Sequence, residues 1–166
     1  MPTTFNWISL GIPRSILGTP VLVDPLDTVA GAENAAGLLT AQNSSDPRVF
    51  GSAGSPLYNS ITSATTINRS GDANALDTDT PALALPDQFS TNIGSGTQTF
   101  NFAAVVNYTG TVTYADGSTA SGVTLQLVQA QSGELFLAPP ITGGSNAALT
   151  AKPLVSIRLD AVANPN

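Results

Sequence analysis

The chain has 166 residues, enough for one domain with a sizeable core, and only 10% of them are charged. It contains no Cys and no His, which excludes disulfides, thiolate or imidazole metal sites, and Cys- or His-dependent catalysis. A net charge of −6, from 11 acidic and 5 basic residues, disfavours nucleic acid and anionic membrane surfaces as partners, because both attract clustered Lys and Arg.

The first predicted element is an N-terminal strand at residues 4–11, which ends at Gly11. The N-terminus has neither the basic nor the apolar region of a signal peptide, and no stretch of the chain approaches the ~18 to 20 apolar residues of a membrane span, so we expect no membrane insertion. An aromatic side chain left in water forfeits about 2 to 3 kcal/mol, so this segment should dock, either at the edge of its own sheet or on a neighbouring subunit. The candidate self-association residues are Phe5, Trp7, Ile8 and Leu10.

Residues 12–56 are predicted to form a loop and helix region. Three prolines between residues 12 and 27 favour an irregular, extended course. Asp27 or Thr28 can cap a helix that runs through Gln42, although two glycines weaken it. Residues 43–56 are predicted to return to loop.

Residues 57–163 are predicted to contain a β-meander and a final strand, with a long polar loop at residues 70–88. The predicted strands are Ile61–Ile67, Phe100–Tyr114, Thr119–Val128, Glu134–Leu137 and Leu154–Val162. The sequence therefore predicts a mainly β fold: a single antiparallel β-sandwich-like domain over residues 1–166, with long loops and at most one or two short helices.

The predicted meander is almost uncharged. Between Gln88 and Ala151 the only charged residues are Asp116 and Glu134, and both lie beside turn glycines. Apolar residues alternate there with Thr, Ser, Asn and Gln. Such strands lack the Lys and Glu that keep sheet edges apart, which is typical of a secreted or self-packing surface.

One acidic loop offers oxygen ligands for a metal ion. Asp72, Asn74, Asp77 and Asp79 could supply the carboxylate and amide oxygens that calcium prefers. The spacing does not match an EF-hand, and the favoured interpretation is a solvated polar loop with Asx turns. No cofactor is expected apart from this calcium hypothesis.

No catalytic residues are predicted. A Ser–Lys dyad would need Lys152, the only lysine, which precedes Pro153 in a position that looks structural. A glycosidase-like carboxylate pair would have to come from Asp77 and Asp79, whose spacing is common in loops. The chain is therefore predicted not to be an enzyme.

The sequence resembles the N-terminal module of bacterial secreted proteins that carry RTX calcium repeats, a Hint autoprocessing domain, or both. The segments that carry the resemblance, in chain order, are Met1–Gly11, Ala32–Ala36, Phe50–Asn59, Ala75–Asp79, Tyr108–Gly117, Leu135–Pro139 and Ala151–Ile157. The resemblance implies export without an N-terminal signal peptide, usually by type I secretion, a location outside the cell or at its surface, and a β-sandwich-like module. The chain departs from that family by lacking both the repeats and the Cys that begins a Hint segment.

We therefore expect an extracellular structural protein that assembles with copies of itself through sheet edges into a filament or a surface or biofilm matrix layer. Exchange of the N-terminal strand between copies is one route to such a homo-oligomer or polymer. The alternatives are an adhesin-like or carbohydrate-binding module of a larger secreted protein and a virion decoration or tail protein. For a glycan ligand, only Tyr58, Tyr108 and Tyr114 offer stacking side chains.

Overall fold

The computed structural model describes residues 4–12, 49–69, 87–94, 96–138, 148–149 and 151–164. Within these ranges the chain forms eight strands and one turn of 3-10 helix at Leu57–Asn59. The strands are β1 (Thr4–Gly11), β2 (Val49–Phe50), β3 (Ile61–Ile67), β4 (Gln88–Asn92), β5 (Thr97–Tyr114), β6 (Thr119–Ala130), β7 (Leu135–Ala138) and β8 (Leu154–Asn164). All strand pairs are antiparallel.

Six of the strands close into a ring. Strand β5 pairs with β4, β4 with β3, β3 with β1, β1 with β7, β7 with β6, and β6 again with β5. Strand β5 is long enough to take part in two pairings along one edge: residues 97–101 pair with β4, and residues 107–114 pair with β8. Strand β2 then adds to the outer edge of β8.

The ring encloses an aromatic cluster to which all six ring strands contribute. Its buried members are Trp7, Ala64, Phe89, Phe100, Phe102, Val128, Ala130, Phe136 and Ala138. Aromatic rings carry the largest apolar area of any side chains, so this cluster is a main source of stability for the ring.

A second, larger cluster lies on the other face of β5 and β6, where β8 and the 3-10 turn cover it. Its buried members include Val106, Tyr108, Val112, Leu125, Leu127, Leu135, Leu137, Ile157 and Leu159. A register shift between Phe102 and Ala104 explains how β5 serves both clusters. One extra residue reverses the alternation of side chains, so Phe102 faces the aromatic cluster while Ala104 faces the second cluster.

The expected mainly β, antiparallel, sandwich-like fold is confirmed. Five predicted strands correspond to β3, β5, β6, β7 and β8, and the N-terminal strand corresponds to β1. The predicted loop at residues 43–56 was wrong at Val49–Phe50, which form β2. No strand was predicted at Gln88–Asn92, which form β4. The predicted helix ending at Gln42 lies outside the described residues.

Candidate functional site

Strand β1 lies in a slot between β3 and β7. On one side its residues pair in an unbroken antiparallel register from Thr4 with Thr65 to Ile8 with Ile61. On the other side Ile8 pairs with Leu137. The expectation that this segment docks on its own sheet is met, but its place is in the interior of the sheet and not at an edge, because both of its edges find partners.

Trp7 anchors β1 in the aromatic cluster. Its side chain is only 2% exposed, and its ring centroid lies 5.1 Å from Phe89, 5.9 Å from Phe136 and 6.3 Å from Phe102. All three ring contacts are edge-on or tilted, the arrangement that aromatic quadrupoles favour. Trp7 is therefore a core residue of this fold and not a free surface contact.

Ile8 and Leu10 point to the opposite face of β1. Both are partly buried and pack against the second cluster. Phe5 lies within β1, paired with Ala64. The predicted self-association residues are thus brought together on one strand, and that strand contributes to both hydrophobic clusters of its own chain.

The predicted calcium ligands Asp72, Asn74, Asp77 and Asp79 lie outside the described residues. Within the described ranges, no three Asp, Glu, His or Cys residues come together as a metal-binding group. The calcium hypothesis stays a prediction.

Lys152 lies beside Ser118, as a Ser–Lys dyad would require, but both side chains also donate hydrogen bonds to Asp116. Its Nζ donates hydrogen bonds to Ser118 Oγ at 2.9 Å and to Asp116 Oδ2 at 2.7 Å. Ser118 Oγ in turn donates to Asp116. The lysine and the aspartate side chains are about half exposed, at 45% and 51%. This is a surface ion pair that joins the β5–β6 turn to the start of β8.

Two of the three tyrosines considered for glycan stacking are core residues. Tyr108 is fully buried, and Tyr114 is 6% exposed, with its hydroxyl donating to the Ala148 carbonyl oxygen at 2.5 Å. Tyr58 is 41% exposed. Burial therefore removes Tyr108 and Tyr114 as stacking candidates and leaves Tyr58.

Comparisons with models of known protein families, with curated proteins and with solved structures found no match to this chain. No helix in the part of the chain that the structure describes has the length and apolar character to span a membrane. The site must therefore be interpreted from its own geometry.

Proposed function

We propose that this protein is a non-enzymatic structural protein that polymerises by exchanging β1 between copies. The observation that carries the proposal is the position of β1, which is held by two neighbouring strands and by Trp7 in the aromatic cluster. A slot that accepts β1 from its own chain presents the same hydrogen-bonding groups and apolar contacts to β1 of another copy.

An unfilled slot would be an unfavourable state. Without β1, the facing edges of β3 and β7 would expose unpaired backbone groups, and the rings of Phe89 and Phe136 would lose the contact with Trp7. Open sheet edges attract other strands, and uncovered aromatic side chains attract apolar surface. A chain whose own β1 has left the slot is therefore primed to accept the strand of a neighbour.

The chain between β1 and the rest of the fold is long enough to reach a neighbour. Residues 12–48, 37 in number, separate Gly11 from Val49. A segment of that length spans up to about 120 Å when extended. That reach exceeds the roughly 40 Å diameter of a compact protein of this size.

The fold favours strand exchange over direct edge-to-edge pairing as the route to the proposed assembly. In the described part of the chain, each of the six ring strands has neighbours on both sides, and the outer pair β8 and β2 ends the sheet. Simple edge pairing would therefore use β2 or β8, whereas exchange uses the whole of β1. Between Gln88 and Ala151 only Asp116 and Glu134 are charged, which supports close contact between copies because it limits repulsion there.

The same proposal places the protein outside the cell or at its surface. Support comes from the absence of Cys, the low share of charged residues and the resemblance to modules of RTX and Hint proteins. The RTX or Hint relationship and the biofilm matrix role stay predictions.

Locking β1 onto its own β3 tests the polymerisation. Asn6 and Ser63 are paired and exposed, and the natural chain has no Cys, so Asn6→Cys with Ser63→Cys should give one disulfide. The variant is refolded at low concentration, oxidised and then concentrated. We expect it to stay monomeric by light scattering and electron microscopy, and to polymerise like the natural chain once reduced.

A matched control places the disulfide in a hairpin that leaves β1 free. Thr113→Cys with Thr119→Cys joins the paired residues of β5 and β6 and should polymerise in both redox states. If the oxidised β1-locked variant polymerises as the control does, exchange of β1 is wrong. If the natural chain stays monomeric at every concentration, the assembly function is wrong.

A further inference from the structure

A pocket opens between β1, β7, the 3-10 turn and the beginning of β8. Its volume is ≈ 560 Å³, within the range of about 300 to 1,000 Å³ that is usual for small-molecule sites. Most of its lining is aliphatic and includes Ile8, Leu137, Leu149 and Leu154. This lining lies against the second hydrophobic cluster, to which Leu137 and Leu154 belong.

The two most exposed large hydrophobic side chains of the described residues also line this pocket. Ile61 is 57% exposed and Tyr58 is 41% exposed. Large apolar side chains at the surface of a soluble domain mark interaction sites when they cluster around a concave surface. The exposure of Ile61 and Tyr58 supports a binding site separately from the volume of the pocket.

The charges around the pocket favour an uncharged ligand. Lys152 is the charged residue of the lining, and its ammonium lies 2.7 Å from the Asp116 carboxylate. An anionic ligand at Lys152 would have to approach Asp116, and a cationic ligand would have to approach Lys152. Polar groups for hydrogen bonds remain in Asn6 and the hydroxyl of Tyr58.

We infer that this pocket binds an uncharged amphipathic small molecule, with an alkyl chain or ring system and one hydroxyl or carbonyl group. The apolar part packs on Ile8, Leu137 and Leu154, and the oxygen faces Asn6, Tyr58 or Lys152. Since Asn6 and Ile8 belong to β1, the pocket is complete only when a β1 strand fills the slot. The inference holds for the monomer and does not depend on assembly.

Binding can be measured with N-phenyl-1-naphthylamine, an uncharged fluorescent probe, and by its displacement with 1-decanol and with decanoate at neutral pH. We expect saturable probe fluorescence and displacement by decanol at concentrations at least about tenfold lower than by decanoate. Equal displacement by the two compounds would overturn the uncharged ligand. Absence of saturable binding would overturn the site.

Substitutions in the pocket lining test whether the probe binds in this pocket. Ile61→Asp places a charge on the exposed wall and should weaken probe binding at least about tenfold. Thr124→Asp, on the outward face of β6, serves as the control and should bind as the natural chain does. Tyr58→Ser is the second variant if Ile61→Asp fails to fold by circular dichroism. Equal probe binding by a folded Ile61→Asp or Tyr58→Ser variant and by the Thr124→Asp control would contradict the inference.

The dependence of probe affinity on protein concentration distinguishes a small-molecule site from a contact surface for a second copy of the chain. We expect probe affinity to stay constant while the protein is diluted through its monomer range. Affinity that falls as dimers appear in sedimentation would assign the pocket to a second copy and overturn the small-molecule site.

Discussion

At the scale of single residues, the β5–β6 turn shows how one polar cluster fixes a hairpin. Asp116 accepts hydrogen bonds from Lys152 and from the side chain and backbone N–H of Ser118. These contacts, Lys152 first, hold the pKa of the Asp116 carboxyl far below its ordinary value of 3.8. Gly117 completes the turn with a φ of 84°, a conformation that glycine adopts without strain.

Asp116 makes the stability of this hairpin depend on pH. Because the pKa is lowered on folding, the carboxylate stabilises the folded state above the unfolded pKa, and this contribution fades as the pH falls from about 4. Asp116→Asn should lower Tm at neutral pH, and the difference from the natural chain should shrink toward about pH 2. Thermal melts over that range give the measurement.

A Lys152→Gln background provides the control for that effect. It removes the strongest contact to Asp116, so the added effect of Asp116→Asn at neutral pH should be smaller there than in the natural chain. A Tm difference between the natural chain and Asp116→Asn that does not change with pH would contradict the role assigned to the carboxylate.

The sequence predicted that the residues of β1 would be buried, but not by what. Alternation puts Trp7 on one face and Ile8 and Leu10 on the other, and both faces are apolar. A strand with two apolar faces is typical of a sheet that is covered on both sides. The partners that cover it, such as Phe89 and Phe136, come from distant parts of the chain, and no local pattern identifies them.

At the scale of elements, β5 contains the feature that the sequence pattern concealed. The run Phe102-Ala103-Ala104 is apolar throughout, so it does not reveal where the alternation reverses. Strand β4 was missed because Gln88–Asn92 contains only one large hydrophobic residue, Phe89. Its strand conformation depends on pairing with β3 and β5, which is tertiary context.

The contact between β5 and β8 depends on a glycine. At Gly110 a Cβ would lie well inside van der Waals contact with the carbonyl oxygen of Arg158 and with Cδ1 of Leu125. Gly110→Ala should therefore destabilise the fold by about 1 to 3 kcal/mol, because β8 must shift away from β5. Urea denaturation gives the free energy of unfolding.

Gly54 offers the matched control for this substitution. A Cβ there meets nothing within 4 Å, so Gly54→Ala should change the free energy of unfolding by less than about 0.5 kcal/mol. If the two alanine variants are equally stable, the close packing of β8 on β5 at Gly110 is wrong.

At the scale of the whole molecule, β1 is one of the six strands that close the ring, and the proposed exchange acts on this strand. Its partners β3 and β7 lie far apart in the sequence, and Trp7 packs in the aromatic cluster. The sequence predicted the fold class and most strands, since local alternation specifies them. It could not predict the closed ring, because closure depends on pairings between distant strands.

The exchange of β1 is tested most directly by mixing two single-cysteine variants. Asn6→Cys and Ser63→Cys are refolded together and oxidised, and the products are identified by non-reducing gel and peptide mass spectrometry. Strand exchange predicts disulfides between positions 6 and 63 of different chains, because these residues are paired across β1 and β3. Ser132→Cys, exposed in the β6–β7 turn, replaces Ser63→Cys in the control mixture. A yield of mixed disulfide no higher than in that control would contradict the exchange.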